Sequence, residues 1–350
     1  MRKADLYGMA ASEARELLAR APFVHLATTR DDGAPILRAL HGVFVGDRLA
    51  FHAAPVGEKV EGLGRTAVVT AERVLAEIPS WFVDPERACP ATTYYESAMA
   101  RGRLVAVDHP DDKARVLSAL MGRFQPEGRH APIEADSPLY AKQLGALLVF
   151  ALGIEELTGK AKVGQNRSPA DRTRIAEGLW RRGAPGDCAA IEALLARNPD
   201  TPLPAFLRAP IEGARLVAHV GPERHPEAVD LLRGAYWLEG VDDAAIAAPF
   251  ARSAGVGAVR DGRLVAAARA TSDGARAWIY DVIVLPALRG RGLARALVAQ
   301  LLDHPDVRDA RTVRLSTWDA AGLYERGGFR VLAEVERGGR RVTEMILERG

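Results

Sequence analysis

Residues 280–294 read YDVIVLPALRGRGLA, and this segment constrains the fold more than any other part of the chain. An apolar strand over 282–285 runs into Pro286, a short turn with two arginines and two glycines follows, and an Ala/Leu-rich helix then begins. Glycine lets a backbone approach its ligand closely, and the first turn of a helix offers unpaired N–H groups at the positive end of its dipole. The segment therefore predicts a pyrophosphate site, to which Arg289 and Arg291 add positive charge.

A dinucleotide-binding fingerprint fits this segment poorly, because G-x-G-x-x-G must follow its strand directly. Here Pro286 intervenes and Arg295 takes the place of the third glycine. The segment instead resembles motif A of the GNAT acyltransferases, R-x-x-G-x-A, with Arg289, Gly292 and Ala294 in the three fixed positions. The resemblance implies that an acyl-coenzyme A binds here. The residues expected to hold acetyl-CoA are Val282, Val284, Arg289, Gly290, Arg291, Gly292, Leu293 and Ala294.

A second segment, TWDAAGLYERGGF at 317–329, resembles motif B of the same enzymes, D-A-x-x-L-Y-x-x-x-G-F. Either segment alone could be a solvated turn or a set of core residues, but the two occur in the family's order and spacing. The resemblance implies that Tyr324 protonates the sulfur of coenzyme A as it leaves. It also implies that strand N–H groups near Val284 polarise the thioester.

Three further residues near these motifs also have a structural interpretation. Asp281 interrupts an apolar strand, where a carboxylate could orient the amine or help to remove its proton, or could be a structural acid. Asp319 is expected to cap the helix that carries Tyr324. Trp318 either lines the acyl pocket or packs in the core. The acceptor amine is expected to bind against the helices predicted within 225–251.

Length and composition limit the other possibilities. A chain of 350 residues favours two domains. Its 47 basic and 45 acidic residues give a net charge of +2, so charge offers no case for a nucleic-acid partner. The two cysteines form no close-spaced pair, and the longest apolar run, 144–154, is too short to cross a bilayer. A cytoplasmic protein without a metal site or membrane partner is expected.

The first half of the chain reads mostly as strands separated by tight turns, which favours a β-barrel. Hairpin turns are expected at 31–33 and 46–47. Strands are predicted at 23–29, 35–45, 48–53, 66–73, 92–107 and 144–156, and short helices at 12–20, 56–64 and 111–123.

Residues 22–73 resemble the split-barrel flavoproteins related to pyridoxamine 5′-phosphate oxidase, especially the nitroimidazole-reductase-like branch. The resemblance rests on PFVHLATTRDDGAPILRAL and on RLAFHAAPVGEKVEGL. It implies that FMN binds through Arg38, His52, Gly57 and Lys59, with the phosphate at a strand end and the following helix start. Because split barrels include haem-binding and non-catalytic members, haem or an empty barrel remains an alternative.

Residues 157–179 resemble the C-terminal signature of FMN-binding Pai-type regulators. The polar side chains of 160–167 are expected to form a lid over the flavin of a partner subunit, or else a solvated loop. In that family an FMN-type protein is paired with a separate polyamine acetyltransferase. A fusion of the two kinds of domain in one chain fits this pairing, without identifying the amine. A flavin at the dimer interface of a split barrel further implies a homodimer joined through the barrel.

The sequence as a whole predicts an α+β chain, with an FMN-binding split β-barrel followed by a GNAT α/β acetyltransferase domain. The barrel and two trailing helices are assigned to 1–200, a proline-rich linker to 201–210, and the acetyltransferase to 211–350. The leading hypothesis is acetyl transfer to a small amine. The alternatives are a flavin-dependent reductase or oxidase of a nitro compound or vitamer, and a regulator that senses flavin or haem.

Overall fold

The computed structural model describes residues 4–349 and divides the chain into two compact units. The first unit comprises the chain up to Glu77 together with Thr93–Gln165. The second comprises Ile78–Thr92 and the chain from Asn166 onward. The chain therefore enters the second unit early, returns to the first, and leaves it again at residue 166.

The first unit is built on a seven-stranded sheet in the order β2-β1-β5-β6-β7-β4-β3. Its strands are β1 (Val24–Thr29), β2 (Pro35–Leu40), β3 (Val43–Val45), β4 (Arg48–Ala53), β5 (Thr66–Ile78), β6 (Thr92–Ala106) and β7 (Leu148–Lys162). Its helices are α1 (Ala4–Tyr7), α2 (Ala11–Arg20), α3 (Pro110–Phe124) and α4 (Ala141–Ala146). The predicted half-barrel of strands is confirmed.

Alternating burial explains how this sheet covers its core. Along β1, the side chains of Val24 and Leu26 are fully buried, while that of His25 between them is partly exposed. Helix α2 places Ala14 and Leu18 in the same apolar cluster, so its amphipathic pattern closes one side of the sheet. Gly33, with φ of +84°, makes the tight turn between β1 and β2.

Three local predictions for this unit are wrong. The expected strand 144–156 begins within helix α4, and β7 starts only at Leu148. The expected strand 35–45 is interrupted at 41–42, and the expected helix over 56–64 is only a 3₁₀ turn, Glu58–Val60. Gly57 precedes this turn with φ of +103°, a value that L side chains rarely adopt. The flavin hypothesis therefore has a tight turn, rather than a helix N-terminus, at this place.

The second unit contains another seven-stranded sheet, in the order β13-β14-β12-β11-β10-β9-β8. Its strands are β8 (Ala214–Val217), β9 (Ala254–Arg260), β10 (Arg263–Ser272), β11 (Arg276–Val284), β12 (Thr312–Thr317), β13 (Arg330–Arg337) and β14 (Arg340–Glu348). Its helices are α5 (Pro169–Arg182), α6 (Asp187–Arg197), α7 (His225–Leu232), α8 (Asp243–Ala247), α9 (Leu293–Asp303) and α10 (Ala321–Glu325). From β8 onward this order confirms the predicted GNAT topology.

The middle of this sheet opens between β11 and β12. The two strands are parallel and pair only over 276–278 and 312–314. Opposite Ala268 of β10, strand β11 carries two residues, Asp281 and Val282, so the ladder contains a bulge. Asp281 adopts φ of +54° there. The bulge redirects the strand, and beyond it no described residue pairs with the backbone of β11 on the β12 side.

Helices α5 and α6 group with the second unit, which differs from the boundary predicted at residue 200. The indole Nε1 of Trp180 donates to Asp303 at 2.7 Å, and the Arg308 guanidinium donates to the carbonyls of Trp180 and Arg181. The proline-rich segment 201–210 is also part of this unit, since Leu207 is fully buried within it. These long-range contacts leave no local signal in the sequence.

Candidate functional site

The turn between β11 and α9 has the geometry of an anion site. Gly290 and Gly292 adopt φ of +74° and +87°, conformations that favour glycine. The first backbone bond at the start of α9 is from the Ala296 N–H to the Gly292 carbonyl. Among the described residues, no acceptor engages the N–H groups of 290–295, which include those of Leu293 and Ala294. They are free for phosphate oxygens.

The two arginines of this turn differ in their contacts. Arg289 donates its Nε–H to the Val284 carbonyl at 3.2 Å, so this side chain ties the turn to the end of the strand. Arg291 is exposed and makes no ion pair among the described residues. Arg291 is therefore the better placed to meet an anion directly, whereas Arg289 supports the turn.

Two backbone N–H groups of β11 face the gap beside β12. Leu285 donates to the Val265 carbonyl at 2.9 Å, which fixes its N–H toward β10. Because alternate residues of a strand point their N–H groups to opposite edges, Val284 and Val282 point toward β12 instead. The β11–β12 pairing does not extend that far. These groups can therefore polarise a thioester carbonyl placed in the gap.

Tyr324 lies on α10 and is 7% exposed. Burial raises the pKa of its hydroxyl to about 12, with smaller contributions from Tyr236 and Asp319. The phenol is therefore protonated throughout the physiological range and can act as a proton donor. It lines a pocket of about 500 Å³ that it shares with Asp281 and Val282.

Asp281 is held by two neighbours. Its carboxylate forms an ion pair with Arg269 at 2.5 Å and accepts from the Trp237 indole at 3.1 Å. Both side chains of the ion pair are largely buried, at 10% and 13% exposed. With one oxygen engaged by each partner, this carboxylate favours a positioning role over proton abstraction.

The interpretation of Asp319 as a helix cap is wrong. The Thr317 hydroxyl accepts from the Ala320 N–H at 3.1 Å and so satisfies the start of α10. Asp319 instead accepts a hydrogen bond from the Tyr236 hydroxyl. Trp318 lines the pocket beside it. Sequence spacing alone does not distinguish Thr317 from Asp319 as the residue that caps α10.

The predicted flavin residues cluster in the first unit. Partial burial, together with the nearby charges of His41 and Lys59, lowers the pKa of His52. Among the described residues other than its chain neighbours, none comes within 4 Å of the place where a Cβ at Gly57 would stand, so space beside the turn is open. His52 and Lys59 are close enough for the charge of one to act on the other.

Sequence reasoning missed that Arg38 shares the Glu58 carboxylate with Arg30. The guanidinium groups of Arg38 and Arg30 both contact the Glu58 carboxylate. The buried Nε of Arg30 has no hydrogen-bond partner among the described residues. Two arginines and Lys59 outweigh one carboxylate, so the cluster remains positive and fits a phosphate group.

The polar segment 160–167 is engaged in local contacts. The Lys160 ammonium lies 5.4 Å from the ring centres of Tyr7 and Tyr95. The Gln165 amide donates to the Ala161 carbonyl and accepts from the Val163 N–H. These contacts belong to one strand end and its packing, and they favour a structural interpretation over a flexible lid.

A partly buried thiol and a buried imidazole meet elsewhere in the second unit. Cys188 Sγ lies 3.6 Å from His304 Nε2, and His304 Nδ1 accepts from the Asp306 N–H. Burial raises the pKa of the thiol to about 12 and lowers that of the imidazole to about 4. Both groups are therefore neutral near pH 7, so this pair lacks the thiolate needed for nucleophilic catalysis.

Within residues 4–349, no group of three or more His, Cys, Asp and Glu side chains is arranged to hold a metal ion. Over the same residues, no helix combines the length and apolar character required to cross a membrane.

Comparison with protein families identifies two matches along the chain. The family model described as pyridoxamine 5′-phosphate oxidase matches residues 10–161, and that of the acetyltransferase (GNAT) family matches residues 224–329. The chain therefore carries a pyridoxamine 5′-phosphate oxidase-like domain followed by a GNAT acetyltransferase domain. Among curated proteins, none matches the chain.

Solved structures resemble each half separately. A FAD and heme binding protein from Mycobacterium smegmatis is 27% identical, covers 44% of this chain and 71% of its own, and has a TM-score of 0.37. The flavocytochrome Anf3 from Azotobacter vinelandii is 18% identical over 47% of this chain and 72% of its own, with a TM-score of 0.39. A protein assigned to the GNAT family from Xanthomonas campestris is 32% identical over 36% of this chain and 94% of its own, with a TM-score of 0.32.

Proposed function

We propose that the chain is an acetyl-CoA-dependent N-acetyltransferase of a small amine, fused to an FMN-binding domain with a redox or regulatory role. One observation carries the first part: Tyr324, Asp281 and the unpaired strand edge at Val282 line the same pocket. The GNAT match over 224–329 supports this assignment. The glycine turn with its free N–H groups supplies the anchor for the pyrophosphate of coenzyme A.

The chemistry follows from these positions. The amine nitrogen attacks the thioester carbonyl carbon, and a C–N bond forms while negative charge develops on the oxygen. The N–H groups of Val282 and Val284 stabilise that charge. When the C–S bond breaks, the Tyr324 hydroxyl gives its proton to the leaving sulfur. The amine loses its own proton to solvent. Asp281 holds the side chains of Trp237 and Arg269 in place through its two carboxylate oxygens.

Replacement of Tyr324 by Phe tests the role of the hydroxyl. We expect kcat to fall about 10²- to 10⁴-fold, the range typical of a lost general acid, with little change in the Kd for coenzyme A. Thiol release from acetyl-CoA in the presence of a panel of amines measures kcat, and calorimetric titration measures the Kd for coenzyme A. Tyr140→Phe, which removes a hydroxyl in the first unit, is the matched control. Unchanged kcat in Tyr324→Phe would exclude the proposed proton donor.

The flavin assignment rests on the positive charge of Arg30, Arg38 and Lys59 near Gly57 and on the family match over 10–161. FMN supplies hydride and single-electron chemistry when bound. Lys59 and Arg38 would neutralise its phosphate, and His52, mostly uncharged near pH 7, would add a hydrogen-bonding group. We further propose a homodimer joined through the barrel, to be checked by the mass of the native particle.

An absorbance spectrum of the purified protein, followed by mass identification of any released chromophore, tests the flavin. Released FMN supports the proposal. Released FAD or haem would instead show that the domain binds that group and not FMN. Lys59→Gln should reduce retention of FMN, and Lys142→Gln on α4 should not. If oxidised acceptors stimulate NAD(P)H consumption by the loaded protein, the domain is an oxidoreductase, and if none does, its role is regulatory.

A further inference from the structure

The pocket beside Tyr324 is unusually rich in exposed aromatic side chains. Tyr236, Trp237 and Trp318 remain 38%, 41% and 38% exposed. They come from a 3₁₀ turn after α7 and from the loop after β12, and they converge on one pocket. A cluster of large exposed rings marks a binding surface, because water-facing aromatic area is otherwise unfavourable.

The rings hold one another in a fixed arrangement. Tyr236 meets Trp318 edge to face, with centroids 4.5 Å apart, and meets Trp237 in the same way at 4.9 Å. The Tyr236 hydroxyl is anchored by the Asp319 carboxylate. Edge-to-face packing leaves ring faces available to a ligand, so the Trp318 face is presented together with a nearby negative charge.

One group already occupies this face. The Arg340 guanidinium lies 3.9 Å from the centre of the Trp318 ring and 5.9 Å from that of Tyr236. Among the described residues it forms no ion pair, and it follows the Gly338–Gly339 turn at the tip of the β13–β14 hairpin. A planar cation is therefore what this surface accepts, and the arginine is held by ring contacts alone.

The remaining charges at the pocket balance in pairs. Asp281 is neutralised by Arg269, and Arg337 by Glu344 at 2.5 Å. Within the described part of the chain, Asp319 and Arg340 form no ion pair, although Asp319 accepts from Tyr236 and Arg340 lies over the rings. Removing Arg340 from the Trp318 face would leave Asp319 as the uncompensated charge, so the vacated surface would attract a cation.

We propose that the acceptor is a primary amine that carries a second, planar cationic group, a guanidinium or amidinium, which stacks on Trp318 in place of Arg340. This inference rests on the proposed acetyltransferase function and names its substrate class. Asp319 supplies the opposing charge, and the amine at the other end of the substrate reaches the acetyl group near Tyr324. Arg340 is then an internal competitor that substrate displaces.

A matched pair of acceptors tests the charge. Guanidinobutylamine and ureidobutylamine have nearly the same size and a planar end group, but only the first is cationic there. We expect kcat/KM to be at least about 10-fold higher for the guanidino compound, in line with the strength of a partly desolvated cation–π contact. Trp318→Leu and Asp319→Asn should abolish this preference, mainly through KM.

Arg340→Gln gives the sharpest result, because loss of an internal competitor should lower the KM for the guanidino amine. Arg341→Gln is the matched control, since this neighbour pairs with Glu334 outside the pocket. Equal kcat/KM for the two acceptors, or a higher KM in Arg340→Gln, would overturn the proposal. The second result would instead make Arg340 a binding group for an acidic acceptor.

Binding measured without turnover separates this inference from the proposed function. Titration of the guanidino amine into protein saturated with coenzyme A should quench tryptophan fluorescence, and Trp318→Leu should remove most of the change. If quenching occurs but no amine is acetylated, the acetyltransferase proposal fails and the cation site stands. If amines are acetylated regardless of end-group charge, the cation site fails and the acetyltransferase stands.

Discussion

At the scale of the residue, the catalytic hypothesis depends on the protonation state of Tyr324. Desolvation disfavours the phenolate, and the adjoining Tyr236 and Asp319 act in the same direction. The hydroxyl is consequently a weak acid that remains loaded with its proton until very alkaline pH. A group of this kind keeps its proton near neutrality and cannot serve as a base there.

A pH profile of kcat tests this assignment. A general acid is active below its pKa, and the pKa of Tyr324 is about 12, so its deprotonation should not lower kcat between pH 7 and 9.5. Stopped assays at saturating acetyl-CoA and amine give the profile. A descending limb with a midpoint within that interval, absent in Tyr324→Phe, would contradict the raised pKa.

Asp281 leads to a stability prediction. Asp281→Asn keeps a residue that tolerates φ of +54° but leaves Arg269 buried without its counter-charge. We expect the free energy of unfolding of the second unit to fall by about 3 kcal/mol. Denaturant titration followed by tryptophan fluorescence measures it. Glu348→Gln, in an exposed pair with Arg330, should cost less than about 1 kcal/mol, and an equal loss would argue against burial as the cause.

Sequence alone identified Tyr324 and the glycine turn, because each belongs to a short contiguous motif. It left the role of Asp281 open, since its partners Arg269 and Trp237 lie on other elements. It likewise missed Arg340, which reaches Trp318 only after the last hairpin folds back. Contacts between distant segments have no periodicity that a single sequence displays.

At the scale of the element, α5 shows how tightly the second unit assembles. A Cβ placed on Gly178 would lie 2.7 Å from the ring of Phe82, which is buried. The Arg182 guanidinium lies 5.5 Å from the centre of the same ring. Phe82 belongs to the early segment 78–92, so this segment and α5 share one packed contact within the unit.

Gly178→Ala should therefore destabilise the second unit by about 1–3 kcal/mol, because a buried aromatic ring has little freedom to move away. Differential scanning calorimetry provides the measurement. Adding Phe82→Leu should restore part of the loss, as expected for two residues in direct contact. Gly122→Ala, in helix α3 with open space around it, should leave stability unchanged or slightly higher. A purely additive double variant would show that the ring is not the cause.

The sequence predicted α2, α3, α5 and α6 as helices, but it missed α4 and did not predict that α5 and α6 belong to the second unit. Their sequence follows the barrel directly, so proximity along the chain assigned them to it. Buried contacts such as Trp180 with Asp303 decide otherwise. The 3₁₀ turn after Gly57 was predicted as a helix, because composition does not distinguish a single helical turn from several.

At the scale of the whole molecule, each unit has its own apolar core. All five tryptophans lie in the second unit, so their fluorescence reports on that unit alone. Acetyl-CoA at about 100 times its Kd should raise the stability of the tryptophan-detected transition by about 2.7 kcal/mol. FMN should shift a calorimetric transition that fluorescence does not detect. Coincident shifts by both ligands would mean that the units unfold as one.

The interrupted path of the chain also has a consequence for synthesis. Phe82 leaves the ribosome long before Gly178 and Arg182, the residues against which it packs. At about 5–20 residues per second, the delay is on the order of 5–20 s. During that time the nascent barrel carries a loop whose aromatic side chain has not met its final neighbours, and translation speed across 83–178 sets how long it waits.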